Sequence, residues 1–179
     1  MDKLSIKEFD AFMKGPFRRS MLRAFRTHQI FCEADLQSFA WRKIKNYLAK
    51  HGEEPRKFRV LNKPFLKDSA RTYPDLVVFR RRSPWAVIEL KESRQMTTEK
   101  ADREREKLLK AKQKLRPKRA YLVYVARYGG ALAIVGPKGE GSRYFFEVPI
   151  VLEQIIGKAN VKRWTETFKS WSKYVLETP

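Results

Sequence analysis

The chain has 179 residues, 42% of them hydrophobic, and its 40 Lys and Arg against 20 Asp and Glu leave a formal net charge of +20. That length and apolar content fit one folded domain and exclude a disordered chain. The charge asks for a polyanionic partner, nucleic acid first and an acidic membrane surface second, rather than a neutral metabolite.

No apolar run approaches the roughly 20 residues of a spanning helix, and the N-terminal "MDKLSIKEFD" lacks the apolar stretch of a signal peptide. A soluble, cytoplasmic protein with no membrane partner is expected. One cysteine, Cys32, and two histidines, His28 and His51, leave no internal disulfide and no Cys-based or His-rich metal site.

In chain order, residues 1–30 predict two helices. Ser5 and Glu8 have capping-box spacing ahead of Phe9, Phe12 and Met13; Lys14-Gly15-Pro16 interrupts; Phe17, Met21 and Phe25 then resume at i, i+4, i+8. From Glu33 to Lys50, Leu36, Phe39, Ala40, Ile44, Tyr47 and Leu48 draw one apolar stripe, a helix. "KFRVLNKPFL", "PDLVVFR" and "WAVIELK" read as strands, the last two forming a hairpin through "RRSP". Thr98–Leu115 predicts a charged helix with Leu108, Ala111 and Leu115 on one side, stopped by Pro117. The strands "AYLVYVARY" and "ALAIV" follow, joined by a Gly129-Gly130 hairpin turn, then "RYFFEV" as a third. Two helical segments close the chain; in the second, Val161, Trp164, Phe168, Trp171 and Val175 repeat at coiled-coil spacing, a seam for the chain's own core or for a homodimer.

Two of these strands carry charge where a core strand should not. Side chains two apart on a strand share a face, so Glu89 and Lys91 lie beside Val87 while Ile88 and Leu90 face the other way. A short hairpin brings Asp75, at the start of the preceding strand, next to Glu89. Two adjacent carboxylates repel unless a cation lies between them, and hard oxygen ligands completed by water suit Mg²⁺ or Mn²⁺. Such an ion polarises a phosphate oxygen and lowers the pKa of bound water, and an ammonium beside that water stabilises developing charge. Phosphodiester hydrolysis follows as the expected chemistry.

Pro74-Asp75, thirteen residues, then Glu89-Leu90-Lys91 resembles the signature of the PD-(D/E)XK nucleases, the restriction-endonuclease-like fold. "AVIELK" is similar to the third-strand motif of that group. Here the triplet is the single ExK of the chain, and the one PD dipeptide lies a strand earlier. The resemblance covers residues 33–135. It implies an α/β core of helix, three strands, helix and strands, a mixed sheet flanked by helices, with helical additions at both ends. It also implies Asp75 and Glu89 as metal ligands, with a Leu90 carbonyl as a possible third, and Lys91 on the attacking water. Glu33, three residues before Leu36 and seven before Ala40, matches the further acid that many members carry on the first core helix. Asp35 is the alternative but points away from the stripe.

The expected organisation is an N-terminal extension (1–30), a nuclease core (31–148) and C-terminal helices (149–179). The expected activity is that of a Mg²⁺- or Mn²⁺-dependent endonuclease acting on nucleic acid, DNA ahead of RNA. The rival is a non-catalytic nucleic-acid-binding or complex-assembly subunit on the same fold. Candidate phosphate contacts are Arg80, Arg81 and Arg82 at the hairpin tip and the stripe Lys100, Arg103, Lys107, Lys110 and Lys114, spaced 3, 4, 3, 4. Arg19, Arg23 and Arg26 line the N-terminal helix. Gly136-Pro137-Lys138-Gly139 matches a GxxG loop but reads as a hairpin loop between strands.

Overall fold

A computed structural model describes residues 4–27, 29–30, 32–51, 57–62, 74–93, 97–127, 145–163 and 165–166. The strand expected at 131–135 with its Gly129-Gly130 turn, the GxxG loop, and Trp164, Phe168, Trp171 and Val175 lie outside these residues.

Helix α1 (Ile6–Phe12) opens on the expected capping box, Ser5 and Glu8 each bonding the other's backbone amide. Lys14-Gly15-Pro16 does not break the helix. The chain winds on through a π-helical turn, Met13–Phe17, into α2 (Arg18–Arg26). A wider turn accommodates a proline that brings no amide hydrogen, and the helix changes phase instead of stopping. α3 (Glu33–Lys50) starts at Cys32, whose amide donates to Asp35 Oδ2 at 3.3 Å, so Asp35 closes the helix start.

Strands β1 (Phe58–Asn62), β2 (Leu76–Arg80) and β3 (Ser83–Ser93) form an antiparallel meander, with the β2–β3 turn reduced to Arg81-Arg82 and Arg81 at φ 57°. α4 (Thr98–Leu115) has the predicted bounds and ends at a left-handed Arg116 just before Pro117. It carries the chain across to β4 (Arg119–Ala126), which lies parallel to β3; a parallel pair requires such a crossover. β5 (Phe145–Val151) is parallel to β4 and runs past Val148, where the core was expected to end, into α5 (Leu152–Ile156). The five described strands form one mixed α/β sheet in the order β1-β2-β3-β4-β5.

Helices α1–α3 cover one face, against Leu76, Val78, Ile88, Leu90, Tyr121, Val123 and Val125, and α4 covers the other, against Val77, Val87, Ala120, Leu122 and Tyr124. Coverage on both sides is why β4 reads as an unbroken apolar run. The N-terminal residues are no appendage. Phe9, Met13, Phe17, Met21 and Phe25 are fully buried in the same core as β3 and β4. Val161, the first residue of the expected seam, is buried in that core too, which leaves it unavailable to a dimer partner. Among the described residues no helix is long and apolar enough to cross a membrane.

Candidate active site

Four polar or charged described residues are as buried as the apolar core: Gln37 (6% exposed), Asp75 (7%), Glu89 (4%) and Glu104 (7%). All four meet at one place, where β2 begins and β3 approaches its end.

The β2–β3 register pairs Leu76 with Ile88, so one step further Asp75 stands beside Glu89. Asp75 is held at both oxygens. Oδ1 accepts from Gln37 Nε2 at 2.9 Å and Oδ2 from the Leu90 amide at 2.8 Å. Amide and carbonyl of one strand residue point to the same side, so the Leu90 carbonyl also faces the β2 side. Period-two alternation sends Glu89 and Lys91 to the α4 face with Val87, as the sequence predicts. There the Lys91 Nζ donates to Glu33 Oε2 at 2.8 Å. The first turns of α3 thus supply two site residues, Glu33 and Gln37, one helical turn apart.

α4 supplies two more. Lys107 Nζ lies 3.2 Å from Glu89 Oε1 and 2.5 Å from Glu104 Oε2. Lys107 was expected in a solvent-facing phosphate stripe; it is half-buried and turned into the acids instead. Glu104 was missed altogether, although a signal existed. Reading the α4 stripe of Leu108, Ala111 and Leu115 backwards by four residues lands on Glu104, an acid where an apolar side chain belongs. Gln37 repeats that signal on α3, four residues after Glu33 and three before Ala40.

Four carboxyls (Glu33, Asp75, Glu89, Glu104) face two ammonium groups (Lys91, Lys107). Fully ionised, the cluster carries a formal −2 inside a chain of +20. The cost falls on Glu89. Burial, then the Asp75 charge and a hydrogen bond with Glu104, push its carboxyl up to about 9. Burial alone would raise Glu104 too, but hydrogen bonds from Lys107 and Glu89 outweigh it and hold that carboxyl below its ordinary value. Burial pulls at both lysines, yet Glu33 keeps Lys91, and Glu104 with Glu89 keeps Lys107, above the ordinary ammonium value, so both stay charged. Glu89 Oε2 is buried and receives no hydrogen bond among the described residues. Two carboxyls in contact need a shared proton or a cation between them.

These observations fit a divalent cation: a cluster whose acids outnumber its lysines by two once Glu89 ionises, a buried Glu89 oxygen with no donor among the described residues, and oxygen-only donors. Among the described residues no three His, Cys, Asp or Glu side chains converge as a ligand set. Mg²⁺ characteristically takes one or two carboxylates and keeps several waters, so a pair of acids is the relevant unit.

The other candidate residues separate into groups. Arg80 lies over the rings of Phe58 and Trp85, at 5.3 and 5.8 Å, and so braces the β1–β3 edge, whereas Arg81 and Arg82 are exposed at the hairpin tip. Lys100, Arg103, Lys110 and Lys114 are exposed along α4, with Lys100 bonded to Ser93 Oγ and Lys110 paired with Glu106 at 3.1 Å. No protein-family model, curated protein or solved structure matches this chain. The functional reading rests on its own residues.

Proposed function

We propose that the protein is a metal-dependent nuclease of the restriction-endonuclease-like kind, hydrolysing nucleic-acid phosphodiesters, with DNA the preferred substrate. The carrying observation is that the four deeply buried polar residues share one site with an uncompensated negative charge. Three of them are acids, a costly arrangement in a core unless a cation or proton completes it. The chain order α3, β1, β2, β3, α4, β4, with Asp75 starting β2 and Glu89-Leu90-Lys91 on β3, supports the same reading.

Asp75 and Glu89 are the pair of acids that would hold Mg²⁺ or Mn²⁺, with the Leu90 carbonyl facing the β2 side. When bound, the ion supplies Lewis-acid charge at the phosphoryl group and a more acidic water. The rest is the work of the chain. Gln37 and the Leu90 amide fix Asp75 so that its carboxylate does not reorganise during the reaction. Glu33 holds Lys91 charged and aimed, leaving its remaining N–H donors for a water or a developing oxyanion. Lys107 offsets the charge of Glu104, so that Glu89 is the carboxyl that exchanges a proton for a cation. The hairpin tip and the exposed face of α4 contribute cations for phosphates.

The test is incubation of pure protein with linear, supercoiled, branched and single-stranded DNA and with RNA, with and without Mg²⁺ or Mn²⁺. Asp75→Asn, Glu89→Gln and Lys91→Gln should each slow cleavage by about 10²-fold or more. Binding without metal-dependent cleavage of any substrate would leave the non-catalytic binding subunit instead.

A further inference from the structure

On the sheet face opposite α4, helices α2 and α3 line a groove of about 480 Å³. Arg19 and Arg23, one turn apart on α2, face Arg42 and Lys43 on α3 across it. No carboxylate lines the groove, and none of the four cations is ion-paired among the described residues. The acid of the adjoining hollow, Asp35, accepts from the Cys32 amide at the start of α3. Four like charges gathered between two packed helices repel one another, a cost that a bound polyanion removes.

We infer that this groove is a second phosphate track, holding the backbone of the nucleic-acid strand that flanks the scissile position. The inference rests on the nucleic-acid reading above but not on cleavage. Three observations select the occupant. Phe39, the aromatic residue in the groove, is only 6% exposed and is overlaid by Arg42 and Lys43 at 5.6 and 5.2 Å, so it offers no face for base stacking. Recognition through the backbone, independent of sequence, is what remains. The large apolar side chains exposed among the described residues, Leu61 and Leu109, lie outside the groove, so nothing in it would enter a lipid bilayer. Finally, α3 joins the two sites. Glu33 and Gln37 occupy its start, and Arg42 lies nine residues after Glu33, about 14 Å along the axis. Nine residues are about two and a half turns, so Arg42 leaves α3 on the side opposite Glu33, and a strand running from the acids to the groove crosses over the helix, a span of several base pairs.

The experiment uses the full chain in EDTA, where no cleavage interferes, and reads anisotropy of a labelled mixed-sequence duplex and of its single strand across a salt series. Arg19→Gln/Arg23→Gln and Arg42→Gln/Lys43→Gln should each weaken binding about tenfold or more at 0.1 M salt and flatten the log–log salt slope by about two. Arg19→Lys/Arg23→Lys should keep the wild-type slope. An unchanged slope in both glutamine variants overturns the inference, as does an equal loss in the lysine variant, which would make the arginines structural. Groove-dependent binding to phosphatidylserine vesicles as strong as to DNA overturns it in favour of a membrane. Cleavage by the wild type with unaffected glutamine variants would sink the groove alone, whereas groove-dependent binding without metal-dependent cleavage would sink the nuclease alone.

Discussion

Among the described residues, two of the charge clusters on the sheet, one half-buried and one deeply buried, are built on opposite principles. On the α1 side of the sheet, Asp10 accepts from Tyr121 Oη at 2.6 Å through one oxygen and from Arg119 Nε at 3.2 Å through the other. One acid meets one cation and one hydroxyl, and every charge is answered. Burial and the bond to Asp10 push the Tyr121 hydroxyl far above its ordinary value, so it remains a fixed donor. On the α4 side, four acids meet two lysines, and among the described residues Glu89 Oε2 has no donor. A cluster that satisfies itself holds a fold together. One that carries a deficit is prepared to receive something.

That contrast predicts a double dissociation. Glu89→Gln should cost the proposed cleavage about 10²-fold or more, yet it should raise the melting temperature of metal-free protein near pH 8, because it removes a carboxyl that ionises at the expense of the fold. Asp10→Ala should do the reverse. The Tyr121 hydroxyl loses its acceptor and Arg119 its counter-charge, a loss of about 1–3 kcal/mol, or roughly 3–10 °C in a chain of this size, while cleavage by the folded fraction stays near wild type. Calorimetry and single-turnover rates on the same samples measure both arms. Equal effects of the two substitutions on stability would erase the distinction.

The pH dependence of stability sharpens it further. Glu89 binds its proton more tightly in the folded chain than in the unfolded one, where a glutamate titrates at about 4.3. Its contribution is therefore fully present below that value and is lost as pH rises through about 9. Metal-free protein should melt progressively lower from about pH 5 to pH 9, and Glu89→Gln should flatten the trend. Saturating Mg²⁺ should flatten it as well, since a ligand that binds only the folded state offsets the loss by mass action. A metal-free profile that rises with pH would show that Glu89 is ionised in the fold.

The smallest effect belongs to the exposed stripe of α4. Lys110 pairs with Glu106 one turn away, an exposed contact that contributes only about 0.3–0.5 kcal/mol. Lys110→Gln should leave the melting temperature within about 2 °C and flatten the salt slope of the proposed DNA binding by about one. Lys107→Gln, three residues earlier, should not behave like its neighbour. It removes the cation from Glu104 and Glu89 and should alter stability and cleavage together.

What the sequence determined by itself follows from short-range geometry. A strand's period of two put Glu89 and Lys91 on one face, the tight hairpin put Asp75 beside Glu89, and the apolar stripe of α3 carried Glu33 with it. Each of these needs only the shape of one element or one turn. The limits of α4 were legible for the same reason, between a Thr-led start and Pro117. Tertiary structure decided the rest. On a helix as charged as α4, nothing local distinguishes a lysine that meets water from one that meets Glu89, so Lys107 and Glu104 acquired their roles only when α4 packed against β3. The parallel pairing of β5 with β4, and the burial of Phe9, Met13 and Phe17 against that same sheet, join segments far apart in the chain. Apolar periodicity states that such residues are buried, and only the packed fold states against what.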